Sequence, residues 1–209
     1  MFTGIVQGIA ELCRIQENKQ GRTHVMRMPK ILLLGIEIGA SVSNNGCCLT
    51  VTDITDAYVS FDLIEETLAL TTLGSLSEGD QVNVERAAKF SDEIGGHIVS
   101  GHITTTATIS KIYNDDTYHN CTIWLKLSQQ NYNKYIFYKG FITIDGISLT
   151  IGEIVHDTFC VHLIPETLLR TTISRKDINS QVNIEIDLHT QILVDTAERV
   201  LGNHKKQLC

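Results

Sequence analysis

The chain has 209 residues, 43% hydrophobic and 20% charged, an ordinary globular balance that can bury one large core or two small ones. Its net charge of −7 excludes the clustered positive surface that nucleic acid or an anionic membrane would require. No run approaches the ~20 apolar residues of a membrane span, and MFTGIVQGIAEL lacks the basic region of an export signal, so a cytoplasmic protein is expected.

Along the chain, NNGCCLTV at 44–51 comes first. In a strand, Gly46, Cys48 and Thr50 share one face and Cys47, Leu49 and Val51 the other. Tyr58–Leu63 is rich in aromatic and β-branched residues and reads as a strand. A short helical turn follows at Glu65–Leu70, then a turn at Glu78-Gly79-Asp80. Asp80–Glu85 alternates polar and apolar, the pattern of a half-buried strand. Further on, Asn114-Asp115-Asp116 marks another turn and IDGISLTI occupies 144–151. Thr158–Leu163 reads as a strand, Pro165–Arg170 as a helical turn with Pro165 at its first position, and Ser180–Asp187 as a second alternating strand. From about Thr190 to Leu201, apolar Leu193, Val194, Ala197, Val200 and Leu201 recur at helical spacing, with Gly202 as the stop. That helix has no counterpart in the first half; its partner is either its own domain or another subunit.

The order of these elements repeats. At an offset of 100 without gaps, 15 of the 40 positions from Gly46 to Glu85 are identical to Gly146–Glu185, where random pairing would give roughly two or three. The matches are concentrated in GxxLT, in LIxETLxxTT (Leu63–Thr72, Leu163–Thr172) and in QVNxE (Gln81–Glu85, Gln181–Glu185). At an offset of 97, Thr3-Gly4-Ile5-Val6 meets Ser100-Gly101-His102-Ile103. About six short strands in ~90 residues, present twice, give an all-β fold of two small closed barrels rather than a layered α/β fold.

Six cysteines, Cys13, Cys47, Cys48, Cys121, Cys160 and Cys209, show no zinc-type CxxC pairing and read as reduced thiols, most of them small buried hydrophobes. His97 and His102, five apart, fall on opposite faces of a strand, which argues against a shared metal.

Taken together, MFTGIV, NGCCLTV, DGISLTI, the two ETLxxTT turns, GGHIVSGH and VNIEID resemble the riboflavin synthase family of the alpha-chain type, from Met1 to about Leu201 and in the family's order. The resemblance implies two tandem six-stranded Greek-key barrels, at 1–97 and 98–188, then a C-terminal helix and tail at 189–209. It implies a homotrimer built around those helices, with lumazine synthase as a candidate partner. The implied reaction passes a four-carbon unit between two molecules of 6,7-dimethyl-8-ribityllumazine, giving riboflavin and 5-amino-6-ribitylaminouracil without metal or organic cofactor. A reaction between two identical molecules gives the duplication a physical reason, since each barrel supplies one similar pocket.

The resemblance also implies the site. It sets Cys48, Leu49 and Thr50, with Ser148, Leu149 and Thr150, against lumazine. Asp62, Leu63, Ile64, Glu65, Glu66 and Thr67, with His162, Leu163, Ile164, Pro165, Glu166 and Thr167, follow the ring edge and ribityl chain. Gly4, Ile5, Val6, Gly101, His102 and Ile103 complete the pockets, Lys139 is a further contact, and Cys48, His102, Ser148 and Asp187 are the catalytic candidates. From the residues alone each has a second reading. Cys48 is also a fitting small core residue, His102 an exposed or capped imidazole, and Lys139 a solvated strand-end charge. Asp187, closing the last strand, suits a turn former, and Phe2 either covers the ring or simply packs. Within the same fold, a non-catalytic lumazine- or flavin-binding antenna protein and a one-flavin oxidoreductase module are the rivals; neither needs polar residues kept in both pockets.

Overall fold

The computed structural model of the chain describes residues 1–19, 21–115, 117 and 119–207, with side chains from 203 onward left aside. The first barrel contains β1 (Gly8–Asn18), β2 (Gly21–Arg27), a short α1 (Lys30–Leu33), β3 (Ser41–Asn44), β4 (Cys47–Thr55), β5 (Tyr58–Ile64), α2 (Glu65–Leu70) and β6 (Gln81–Arg86). The second repeats the strands as β7 (Thr105–Asp115), β8 (Asn120–Leu127), β9 (Phe141–Ile144), β10 (Ile147–Val155), β11 (Thr158–Leu163), α3 (Pro165–Arg170) and β12 (Gln181–Ile186), and α4 (Leu188–Gln207) closes the chain. Both sheets are antiparallel and closed, in the orders β1-β2-β5-β4-β3-β6 and β10-β11-β8-β7-β12-β9.

The two helical turns fall at the residues expected, and Pro165 occupies the start of α3. Three expectations need correction. The predicted turn at Asn114-Asp115-Asp116 gives way to β7, which runs through Asp115, while Asp116 and Cys209 lie outside the described residues. Gly202 does not stop the last helix, which continues to Gln207 because a glycine costs a helix only about 1 kcal/mol against alanine. The GxxLT phrase does not begin in a strand: Asn45 and Gly46 have φ of 44° and 84°, Asp145 and Gly146 45° and 82°. These are the two central residues of tight hairpins joining β3 to β4 and β9 to β10, where Asn-Gly and Asp-Gly supply the positive φ that matches the twist of paired strands.

Each barrel fills with its own apolar cluster. Leu12, Met26, Val42, Leu49, Phe61, Leu63 and Val82 pack in the first, and Ile109, Leu125, Ile142, Leu149, Phe159, Leu163 and Val182 in the second. His24 on β2 is the misfit, a 2%-exposed imidazole whose Nε2 has no hydrogen-bond partner. Burial, helped by Arg22 and opposed by Glu17, lowers its pKa to about 4. A histidine held below its unfolded value of ~6.5 stabilises the fold above that pH, and the contribution is lost as pH falls toward 4, by at most about 3 kcal/mol. The urea midpoint is therefore expected to fall more steeply between pH 6.5 and 4 in the native chain than in His24→Leu; parallel pH profiles would remove His24 as the cause.

The QVNxE strands correct a fourth expectation. Val82, Asn83, Val84 and Glu85 of β6 are all buried, as are Val182, Asn183, Ile184 and Glu185 of β12. Their polar face meets the other barrel instead of water. Asn83 Nδ2 donates to the Asp145 carbonyl (2.9 Å) and its Oδ1 accepts from Thr172 N (2.8 Å). Asn183 mirrors it, donating to the Asn45 carbonyl (2.9 Å) and accepting from Thr72 N (2.7 Å). The two hairpin tips touch between these asparagines, so closely that a Cβ on Gly46 would stand 2.8 Å from Gly146 N and one on Gly146 2.9 Å from Gly46 N. The barrels thus join about a local two-fold through paired asparagines and two glycine tips.

Candidate active site

Within the first barrel, the alternation of β4 turns Cys47 and Leu49 inward and leaves Cys48 half-buried and Thr50 exposed. Burial pushes the Cys47 thiol up to about 12, in keeping with an inert core residue. β10 repeats the pattern, with Ile147 and Leu149 inside, Ser148 half-buried and Thr150 exposed. The polar face of the repeated phrase therefore looks outward onto a floor available to a ligand.

Each floor is completed by a segment from the other barrel. Ser148 N donates to the Gly4 carbonyl (2.8 Å), and Cys48 N donates to the Gly101 carbonyl (2.8 Å). Val6 packs against the second barrel's core and Ile103 against the first's. Gly4 and Gly101 have φ of 74° and 86°, and a Cβ on either would stand 2.5 Å from the Cβ of Ser148 or Cys48. Glycine is required at both on steric grounds as well as conformational ones. Ile5 and His102 follow as exposed side chains at equivalent places.

Above Ser148 opens a cleft of about 930 Å³. Its walls are Gly4, Ile5 and Val6 on one side, Ile164, Glu166, Thr167 and Arg170 from the end of β11 and α3 on another, and Ile31 and Leu32 of α1 at its rim. Gly101 and Ile103 meet the corresponding face around Cys48, and Ile64, Glu65, Glu66 and Thr67 stand at the positions equivalent to 164–167 in the repeat. Leu49, Leu63, Leu149 and Leu163 belong to the barrel cores, so only their main chains face outward.

The two floors are matched but not identical. On the second barrel, Ser148 Oγ lies 2.7 Å from His97 Nδ1, and His97 Nε2 lies 3.2 Å from Thr143 Oγ1. His97 is buried and stacks on Phe141 at 5.0 Å between ring centroids. Burial lowers its pKa, with nearby Asp187 opposing, which favours the neutral ring. With the proton on Nε2 and shared with Thr143, Nδ1 can accept the Ser148 hydroxyl proton. His97 and His102 are not on a common strand, as the spacing implied; the chain there is irregular apart from a bridge between Phe2 and Val99. GGHIVSGH carried the signal for His97, but a strand reading turned its ring away from the site.

Further out, the walls differ in charge. Thr23 donates its hydroxyl to Asp62 (2.6 Å), whereas at the equivalent place Thr122 pairs with His162 Nδ1 (2.9 Å). Gly152 stands where the first barrel has Thr52, and a Cβ there would come within 3.0 Å of His162 Nε2. Pro165 and Arg170 replace Glu65 and Leu70, leaving the second wall less acidic.

Three candidates sit apart from the floors. Asp187 follows β12 and caps α4, accepting from Thr190 N and Oγ1 (both 2.8 Å). Burial would raise its pKa, but those donors, His189 and His97 hold it below the usual carboxylate value. Lys139 lies exposed in the turn before β9 with φ 65° and its Nζ 5.1 Å from the Tyr138 ring centroid, and does not line the cleft. Phe2 is buried against Val99 and beneath Gly101.

The Lumazine binding domain family matches this chain twice, at residues 3–87 and 100–187. Riboflavin synthase of Escherichia coli (strain K12) is 61% identical over 202 residues, covering 97% of this chain and 94% of that protein. Riboflavin synthase of Chlamydia pneumoniae is 43% identical over 206 residues, covering 99% and 100%. Among solved structures, LumP complexed with 6,7-dimethyl-8-(1'-D-ribityl) lumazine superposes with a TM-score of 0.80 at 28% identity, covering 90% of this chain and 99% of that one. LumP complexed with riboflavin gives 0.82 at 29% identity, covering 90% and 100%.

Proposed function

The chain belongs to the riboflavin synthase family, and we infer from that premise that its two floors hold two lumazine molecules that react with each other. The protein is a transferase: a four-carbon unit passes from one 6,7-dimethyl-8-ribityllumazine to another, giving riboflavin and 5-amino-6-ribitylaminouracil. The observation that carries this reading is the two-fold match of the floors, each a half-buried polar residue whose main-chain N–H donates to a glycine carbonyl from the opposite barrel.

Holding two flat rings in contact converts a bimolecular encounter into an effectively unimolecular one, worth up to ~7–11 kcal/mol. What remains is to remove a proton from the donor's methyl group and to add a nucleophile to the acceptor's ring. Ser148 with His97 has the geometry of a hydroxyl activated by a neutral imidazole, and is one candidate for that work. Cys48 offers a thiol at the matching place, and exposed His102 stands beside it as a proton carrier. Asp187, whose charge opposes the lowering of the His97 pKa, remains a further proton-transfer candidate. The ribityl chains run along Asp62 and His162 toward α2 and α3.

Lys134 and Tyr135 tie one side of α4 to its own barrel through Asp195 and Glu198. Leu188, Ile192, Leu193, Val200 and Leu201 remain exposed, which supports a homotrimer assembled on this helix. The floors of different subunits would then face one another. Among the described residues no helix is long and apolar enough to cross a membrane. A cytoplasmic enzyme working with lumazine synthase fits the reading carried by the family.

Purified protein given 6,7-dimethyl-8-ribityllumazine alone is expected to release riboflavin and the pyrimidine in equal amounts, followed by absorbance and chromatography. Lumazine binding without riboflavin formation would instead favour the antenna reading.

A further inference from the structure

Three buried carboxylates remain without a part in this chemistry, and one of them, Asp145, faces Lys176. Glu85 on β6 is 2% exposed and Glu185 on β12 is 6% exposed. Among the described residues neither of the other two pairs with a cation; each accepts three hydrogen bonds from one short segment. Glu85 Oε1 accepts from Thr3 N (2.6 Å) and Thr3 Oγ1 (2.7 Å), and Oε2 from Gly4 N (3.1 Å). Glu185 Oε1 accepts from Ser100 N (2.7 Å) and Ser100 Oγ (2.8 Å), and Oε2 from Gly101 N (3.0 Å).

What those segments hold lies in the opposite barrel. The Gly4 carbonyl accepts from Ser148 N, and the Thr3 carbonyl accepts from His97 N (3.2 Å), so both members of the hydroxyl–imidazole pair hang from the Glu85 clamp. The Gly101 carbonyl accepts from Cys48 N, so the Cys48 floor hangs from Glu185. We propose that Glu85 and Glu185 are positioning residues that act crosswise: Glu85, in the first barrel, sets the Ser148–His97 site of the second, and Glu185, in the second, sets the Cys48 site of the first. This assignment rests on the function inferred above. It adds that neither pocket is the property of one barrel, and that the carboxylate governing each floor is found in the other.

The chemistry demands a carboxylate. Three donors converge on two acceptor oxygens, so an amide oxygen can serve only one side and the amide NH₂ then faces an N–H. The isosteric Glu→Gln change keeps volume and inverts one contact, leaving a buried donor without an acceptor. The floor residue then shifts, and a displacement of ~1 Å at reacting groups costs about 10²-fold in rate.

The test compares Glu85→Gln and Glu185→Gln in the full chain with three readouts. Turnover of 6,7-dimethyl-8-ribityllumazine is expected to fall in both by about 10- to 100-fold in kcat, with KM changed less. The NMR signals of the His97 ring are expected to move in Glu85→Gln only. Alkylation of Cys48 by iodoacetamide, resolved peptide by peptide, is expected to change several-fold in Glu185→Gln only, with buried Cys47 and Cys121 protected in both. Each variant disturbing its own barrel's floor, both floors responding equally, or neither reporter moving would overturn the proposal. Should the Gln variants fail to fold, Thr3→Val and Ser100→Ala each remove a single donor and should give smaller shifts in the same crosswise pattern. The ring signals and the alkylation rate require no substrate, so they test the clamps even if the lumazine assay gives no riboflavin.

Discussion

Asn83→Ala is expected to destabilise the folded chain by about 4 kcal/mol, and Asn183→Ala by a similar amount. Each asparagine satisfies two buried main-chain groups of the opposite barrel, a Thr172 or Thr72 N–H and an Asp145 or Asn45 carbonyl. Truncation leaves both without a partner where water does not reach, at about 1–3 kcal/mol for each stranded group. Because the two asparagines knit the same interface, the double variant should cost less than the sum of the singles, with a coupling of about 1 kcal/mol or more. Urea denaturation of the four proteins in the cycle measures this directly. Single losses below ~1 kcal/mol would mean that water enters and replaces the asparagines. Asp145, by contrast, is expected to tolerate Asn poorly for a different reason. It is fully buried with Lys176 Nζ at 3.5 Å, whereas the first repeat has Asn45 and Leu76 at the equivalent places. Removing its charge leaves the partly exposed lysine with only the Gln181 carbonyl (3.4 Å) as acceptor among the described residues.

Gly101→Ala and Gly4→Ala are expected to lower kcat by about 100-fold or more while the far-ultraviolet circular dichroism stays that of two β-barrels. A methyl group at either place would sit 2.5 Å from the Cβ of Cys48 or Ser148 and 3.0 Å from the same residue's main-chain N, and neither atom can rotate away. The left-handed backbone adds a strain of about 1–2 kcal/mol. Gly79→Ala separates the two effects. Its φ is 96° but nothing lies within 4 Å of the added methyl, so it should lose a little stability and keep full activity. Equal loss of activity in Gly79→Ala and Gly101→Ala would show that backbone strain, and not the floor, governs the rate.

Much of this was legible in the residues. The repeat at an offset of 100 identified two equivalent modules, the density of short β-branched runs made them barrels, and the alternation in GCCLTV and GISLTI put Cys48 and Ser148 on the open face. These follow from local rules, since strand alternation is fixed by the pleat and the turn residues by the sign of φ. The Asn-Gly and Asp-Gly hairpins belonged to the same legible class and were hidden only by reading the phrase as one continuous strand.

Other features depended on which surfaces meet. Asn83 and Glu85 look like the wet side of a strand, and only tertiary packing makes them interior, the second barrel over Asn83 and the Thr3-Gly4 segment over Glu85. His97 sits in an irregular segment whose course is set by the Phe2–Val99 bridge and the Thr3 carbonyl, so no periodicity could aim its ring at Ser148. Asp187 closes a strand and caps a helix at once, and the choice between those roles rests on α4 starting at the next residue. The sequence by itself therefore determined two matched barrels with a polar floor in each, because each floor is written in neighbouring residues. Only the tertiary structure decided that the floors are completed crosswise, since hydrogen bonds between Gly4 and Ser148, or Gly101 and Cys48, join residues that no local pattern relates.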